Sequence, residues 1–401
     1  MKILMLTPYL PYPPASGGQI RSLYLLKYLS ENHDITLICL YKNEKEKRYA
    51  AHLKQYCKKL YVCKRAEKPW QLGNVLKSVF SLLPFLMVRN YSKEAHQIIE
   101  ELLNEENFDV IHAETFYIMP HIPQTLVPVL LVEQTIEYQV YMHFIETLPL
   151  WLRPLFYMDI FKLRLSEINY WKKAQLVATV SDADQQTIKK LVPSINPVVV
   201  PNGAGDEMFV EKLEKKDISK PILLFIGNFY WLQNTEAAEY LLEKIYPPLK
   251  KRIPNIRVII AGQKAQSKIT KGIDENVQIL GDEPLPVEEI RDLYLNSTLF
   301  IAPMFGPGGT NLKILQALAS GLPTISTKIA AERLEVEHKK HVLIADTPTQ
   351  FANSVESILK DKTLYDNLRK NAFQFAKDKY SYQSIAHQLE VMYRSIRKPK
   401  Q

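Results

Sequence analysis

The sequence predicts two doubly wound α/β units in tandem. Three observations carry that expectation. The length of 401 residues suits two cores better than one. Short apolar runs alternate with helix-period segments in both halves, as buried parallel strands and their crossover helices do. Near the middle, Val198-Val199-Val200 runs into the turn-forming cluster Pro201-Asn202-Gly203-Ala204-Gly205, which marks a boundary.

The first half opens with a strand at Lys2–Leu6. A loop with Pro8, Pro11, Pro13 and Pro14 comes next, then Gly17-Gly18, a helix from Gln19 to about Ser30 and a strand at Ile35–Leu40, together one βαβ unit. Val110–His112, Val129–Val132 and Leu176–Val180 read as further buried strands. The second half repeats the plan with strands at Ile222–Ile226, Val258–Ala261, Val277–Leu280, Leu299–Ala302 and Thr324–Ser326. Helices are expected at Thr235–Tyr246, Val287–Leu295 and Leu312–Ser320. Residues from Thr349 onward are helical and amphipathic, and Tyr382–Arg397 suits a helix lying over either unit. The expected organisation is therefore residues 1–200, 206–380, and a terminal helix at 381–401 that packs back on the first unit.

Composition excludes several classes. Hydrophobic residues at 46% and charged residues at 23% describe a globular chain rather than a disordered or fibrous one. The apolar start at Met1–Leu6 is too short for a signal-peptide core, and no run approaches the roughly 20 apolar residues that span a bilayer. The longest, Ser78–Val88, is interrupted by Pro84. Cys39, Cys57 and Cys63 have no metal-binding or disulfide spacing, and a reducing cytoplasm fits them. Between Lys42 and Lys93 thirteen lysines and arginines face three acids, a local excess of ten against +8 for the whole chain. Such a cluster attracts phosphates or anionic lipid headgroups, or is a solvated face. Within it, Trp70–Val88 has helix-like apolar spacing. That pattern suits an interfacial helix on the inner face of a membrane or a stripe packed on the core.

The stretch Pro303–Pro323 carries the most chemistry. A strand runs into Gly306, Gly308 and Gly309, and a helix comes after them. Absent side chains let an anion reach backbone N–H groups, and the helix N-terminus adds positive potential. Lys313 on the first turn can neutralise a phosphate oxygen, with Thr310 and Asn311 as short polar neighbours. A tight glycine turn with a surface lysine is the plainer alternative.

In order and spacing this stretch resembles the nucleotide-sugar loop of the family-4-like retaining glycosyltransferases of the GT-B fold, P-x-R-x-G-x-G-T-x-x-K-x-x-E-A-x-A-x-G-x-P. Further landmarks stand in register: Thr7-Pro8 to Gly17-Gly18, Phe108–His112, Val180-Ser181-Asp182, Pro201-Asn202-Gly203, Leu224–Asn228 with Asn234 and Pro247, and Ala261-Gly262. The resemblance covers nearly the whole chain. It implies two Rossmann-like domains facing a central cleft and a hexosyl transfer from a nucleoside diphosphate sugar to a glycan, lipid-linked or other acceptor. No cofactor, no metal and no nucleic acid are implied. Gly17, Gly18, Asn228, Gly308, Gly309, Thr310, Asn311, Lys313 and Gln316 would bind the donor; Gln134, Glu137 and Lys313 would serve the transfer.

Three positions depart from the pattern. Gln316 stands where a glutamate usually holds the ribose, and Phe305 replaces the arginine. Gln134, in Val132–Tyr138, replaces the histidine of E-H-N-x-E-Y, so no general base is available there. Glu133 and Glu137 remain as carboxylates, Glu137 as a substrate contact or as a helix-start charge. His112 is a ligand contact or a satisfied buried histidine. Ser181, Asp182 and Asp184 read as a helix cap rather than a metal-binding D-x-D. The departures leave open a weakened homologue that binds nucleotide or glycan or supports a partner enzyme; an epimerase of the same fold has less support.

Overall fold

The computed structural model describes residues 1–14, 16–67, 71–214, 216–306 and 311–397. The chain forms two compact units, one of Met1–Pro201 with Gln383–Gln401, the other of Asn202–Tyr382.

The first unit is built on seven parallel strands: β1 (Lys2–Thr7), β2 (Asp34–Tyr41), β3 (Lys59–Lys64), β4 (Val110–Glu114), β5 (Val129–Glu133), β6 (Leu176–Thr179) and β7 (Val198–Val199). Their order in the sheet is β3-β2-β1-β4-β5-β6-β7. Order reverses at β1, and in such sheets ligands bind outside the carboxyl ends of the strands near that reversal. The interior of β1 is wholly buried, Leu4, Met5 and Leu6 all at 0% exposure, each side chain contributing about 1.5–3 kcal/mol. Four of the unit's helices bear on the candidate sites: α1 (Gly17–Leu29), α2 (Phe85–Asn90), α3 (Glu137–Glu146) and α4 (Arg153–Lys173).

The second unit carries six parallel strands, β8 (Ile222–Ile226), β9 (Arg257–Ala261), β10 (Val277–Leu280), β11 (Leu299–Ala302), β12 (Thr324–Ser326) and β13 (Leu343–Ile344), ordered β10-β9-β8-β11-β12-β13. Two helices, α5 (Leu232–Tyr240) and α6 (Leu312–Ala319), come after strands β8 and β11. Gly262 stands at φ +131° after β9, where an added Cβ would lie within 3.0 Å of the Gly227 carbonyl oxygen. The turns after β8 and β9 can approach this closely only with glycine there.

Several elements differ from expectation. The helix expected at Thr235–Tyr246 ends at Tyr240, gives way to a π turn over Leu241–Ile245, and resumes at Tyr246–Arg252. Pro247 and Pro248 cannot donate to the ladder, and the wider turn absorbs the interruption. Of the range expected as Trp70–Val88, Trp70 lies outside the described residues, and the rest is not one helix: Leu72–Val79 and α2 are separated around Pro84. Gly17 and Gly18 are not in the loop after β1 but open α1, with Ser16 at the cap position. β3 is an additional strand.

The final helix α7 (Tyr382–Ile396) rejoins the first unit from Gln383 on. Tyr393 bonds His112, Glu390 lies 3.1 Å from His33 Nε2, and Arg397 beyond the helix meets Asp109 at 2.7 Å. No helix among the described residues is long and apolar enough to cross a membrane.

Candidate functional site

In the first unit the carboxyl ends of β1, β4 and β5 converge on a buried polar network. Arg21 on α1 is wholly buried, its Nε 3.4 Å from Glu114 Oε1 and its Nη1 donating to the carbonyls of Val200 and Pro201 at 3.2 and 2.9 Å. His112 Nε2 donates to the same Glu114 oxygen at 2.9 Å, which leaves Nδ1 to accept from the Tyr393 hydroxyl. Burial alone would raise the Glu114 pKa; Arg21, then His112 and Gln134, override it and hold the carboxyl at about 2. A carboxylate so paired stays ionised and orients whatever donates to it.

That group is Gln134. Its Nε2 donates to Glu114 Oε2 and, at 2.8 Å, to the Tyr9 hydroxyl, itself 3.3 Å from Ser22 Oγ. With the amide nitrogen committed, the carbonyl oxygen faces the backbone of Gly18. A Cβ on Gly18 would fall within 3.0 Å of that oxygen and of the Tyr9 ring. Gly18 is thus required for close packing here, independently of any ligand.

The loop after Gln134 is held by carboxyls. Glu167 on α4 accepts the N–H groups of Glu137 and Tyr138 at 2.7 and 3.2 Å, capping α3 from another helix. Glu133 accepts from the Trp171 indole at 2.8 Å. Burial drives Glu133 and Glu167 well above the usual range, and neighbouring carboxylates, Glu137 beside Glu133 and Glu133 with Glu137 beside Glu167, raise them further. Glu137 is pushed up to about 7 by burial, with Arg89 opposing. It opens α3, as a helix-start acid does, yet it titrates where a proton carrier works.

His112 is a satisfied histidine inside β4, which runs on to Glu114. Ser181 caps its helix by accepting from the Asp184 N–H at 3.2 Å and donating to Oδ2 at 2.7 Å, so Asp182 and Asp184 serve that helix start.

In the second unit the same edge gathers Asn228, Asn234 and Lys313. Asn228 is locked into the turn after β8: it donates to Gln263 Oε1 at 2.9 Å, accepts from the Tyr230 N–H at 3.0 Å, and its carbonyl accepts from Asn234 at 2.7 Å. Asn234 Oδ1 in turn accepts from Lys313 Nζ, which lies 3.5 Å from Met304 Sδ and 5.1 Å from the Phe225 ring centre. No carboxylate pairs with Lys313 among the described residues, and burial pulls its ammonium down to about 7. A cation so placed gains most from an arriving anion.

Asn311 precedes α6 and donates to the Ala330 carbonyl at 2.8 Å, holding the helix start in place. Gln316 is buried and accepts from the Tyr294 hydroxyl at 3.3 Å. Phe305 packs edge-on against Tyr240 at 4.8 Å. Gly308, Gly309 and Thr310 lie outside the described residues. The structure brings Gly18 and Gln134 together in one unit, and Asn228 and Lys313, through Asn234, in the other. Sequence reasoning missed Tyr9, Arg21, Glu114 and Tyr393; a buried arginine on an apolar helix face was the available signal.

Residues 220–361, within the second unit, match the family model described as Glycosyl transferases group 1. The whole chain has the GT-B fold. It is similar to sucrose-phosphate synthase from Thermosynechococcus elongatus, with a TM-score of 0.75 at 14% identity and 99% of each chain covered. HepE from Anabaena, solved with UDP and glucose, superposes with a TM-score of 0.68 at 16% identity over 98% of this chain and 100% of that one. An uncharacterized 44.6 kDa protein in the cps region of Klebsiella pneumoniae is 24% identical over 397 residues, 96% of this chain and 97% of that protein.

Proposed function

We propose that the chain is a glycosyltransferase that moves a sugar from a nucleoside diphosphate sugar, with retention of configuration, to a glycan or lipid-linked acceptor. The observation that carries this reading is Lys313: a half-buried lysine at the carboxyl edge of a parallel sheet, with no carboxylate partner among the described residues, in the segment matched by the family model. Placed against a diphosphate, it stabilises the charge that grows on the leaving group. Asn228 and Asn234 hold it there, and Gly308, Gly309, Thr310 and Asn311 are the proposed backbone and side-chain cradle.

Gln134 cannot take up a proton at neutral pH, so its role is orientation: Tyr9 and Glu114 hold its nitrogen and its carbonyl oxygen packs on Gly18, which fixes the start of α1 at the carboxyl edge of the sheet. Glu137 is the proposed proton carrier. A leaving phosphate that itself assists the acceptor needs no stronger base.

A peripheral place on an anionic membrane suits the first unit. Phe80, Leu82 and Trp151 are 84%, 90% and 76% exposed. α4 buries Ile160, Leu163 and Trp171 on one face and exposes Met158, Phe161 and Leu165 on the other, a pattern that a helix in water alone does not favour. The two segments are joined where Ser78 bonds Asp159 at 3.0 Å and Lys162 donates to the Ser78 carbonyl at 2.8 Å. This surface extends the basic segment 42–93.

A second reading, nucleotide or glycan binding without turnover, is favoured by the prior engagement of Gln134, Phe305 and Gln316 within the fold. Melting curves with UDP, GDP and ADP sugars, then donor hydrolysis, separate the readings. A ligand at 100 times its dissociation constant adds about 2.7 kcal/mol. Stabilisation with hydrolysis, both lost in Lys313→Ala, supports transfer; stabilisation without turnover supports binding; no shift with any donor refutes transfer and nucleotide binding.

A further inference from the structure

We propose that Lys42, Arg65 and Arg89 form an anion-binding subsite in the first unit that takes the phosphate or diphosphate of a phosphorylated acceptor. The word acceptor rests on the glycosyltransferase reading; the subsite does not.

The three cations are brought together by the backbone. β2 and β3 are parallel with Tyr41 opposite Lys64, and the Arg65 N–H donates to the Tyr41 carbonyl at 2.9 Å. Lys42 and Arg65 therefore leave the sheet side by side at its carboxyl edge, where open α/β sheets bind ligands. Arg65 Nη1 then reaches the Asn90 side chain, whose amide is fixed by its bond to the Leu86 carbonyl at 2.7 Å. Arg89 is the preceding residue of α2, with its guanidinium 6.0 Å from the Phe85 ring centre and a bond to the Tyr141 hydroxyl.

These charges lack the partners that the rest of the unit supplies. Arg21, wholly buried, has a carboxylate and two carbonyls, whereas Arg65 and Arg89 are half-buried and Lys42 stands at the surface beside them. Among the described residues no carboxylate comes within ion-pair distance of Lys42, Arg65 or Arg89, and the buried Nε atoms of both arginines have no acceptor. Buried donors without partners are rare in native proteins and ask for a missing ligand or water.

The surroundings favour a strong anion. Glu46 accepts the Lys42 backbone N–H at 2.8 Å, and Glu137 is kept partly neutral by burial. Tyr117 and Tyr141 supply hydroxyls. Burial first, and then neighbouring guanidinium charge, lowers the proton affinity of Lys42, and burial with Arg89 lowers that of Arg65, against the opposing pull of Glu46 on both and of Tyr117 on Arg65. A dianion relieves that repulsion, and two guanidinium forks match tetrahedral phosphate oxygens.

The test is calorimetric titration of inorganic pyrophosphate into the full chain with UDP present in excess, so that any donor site is filled. The subsite predicts saturable binding that weakens at least tenfold in Arg65→Gln/Arg89→Gln. A charge-matched Lys45→Gln/Lys54→Gln control should change it less than twofold. Should the double arginine variant fail to fold, Lys42→Gln decides: a loss of threefold or more supports the subsite. Absent binding, equal loss in the control, or an unchanged Lys42→Gln overturns it. Monomeric decyl phosphate against inorganic phosphate then identifies the source, since tighter binding of the alkyl ester marks a lipid-borne phosphate and equal binding a soluble one. A separate titration of UDP alone keeps the two readings distinguishable: a chain that binds pyrophosphate and not UDP refutes the donor reading alone.

Discussion

Lys313 makes a quantitative claim about protons. With its ammonium pulled down to about 7 by burial, the free protein at pH 8 holds about ten neutral lysines for each charged one at this position. A diphosphate beside the amine favours the charged form, so UDP binding at pH 8 should take up about 0.9 proton per site. UDP is already fully ionised there and contributes no compensating uptake. Calorimetry at pH 8 in buffers of different ionisation enthalpy reads the uptake as the slope of apparent heat against buffer heat. The affinity should also fall about tenfold per pH unit above 8 and level off below about 6.5. Lys313→Ala should abolish the slope and weaken binding. Tight UDP binding with no uptake at pH 8 would show that the lysine is not the group that meets the diphosphate.

The first unit supplies three more expected outcomes. Glu114→Gln leaves the buried Arg21 without its carboxylate and should cost about 3–5 kcal/mol, measured by chemical denaturation. Glu137 has a folded pKa raised to about 7 from 4.5, so the folded state binds the extra proton between those values. Its stabilising contribution is present below about pH 4.5 and lost as pH rises to 7, by up to about 3 kcal/mol; Glu137→Gln should flatten that part of the stability profile, and an unchanged profile counts against the assignment. Gly18→Ala should displace Tyr9 or Gln134, costing about 1–3 kcal/mol by overpacking, with donor turnover falling more than Lys313-dependent UDP binding.

Apolar runs bounded by turn residues made most strands legible, and Ile222–Ile226, Val277–Leu280, Leu299–Ala302 and Thr324–Ser326 have the expected limits. β3 was not legible. It is an edge strand with lysines at both ends and only Cys63 fully buried, so its apolar alternation is weak. Lys313 was legible because its signal is local: glycines, a helix start and a cation within a few residues. Glu114 was not, because its meaning depends on Arg21, 93 residues away, and on the path through His112 to Tyr393, 281 residues further on. Periodicity reports which face is buried, not which distant polar partner waits there. The basic excess at 42–93 was visible as a number, whereas the three residues without counter-charges emerged only once strand register placed Lys42 beside Arg65.

The return of α7 to the first unit bears on the order of synthesis. A ribosome releases the seven-stranded sheet long before it makes Tyr393, so nascent β4 holds His112 without the hydroxyl that later bonds it. The second unit, continuous from Asn202 to Tyr382, has every residue it needs first. The unit that starts the chain is therefore the one finished last, and a message truncated before Gln383 yields a complete second unit beside an unsealed first one.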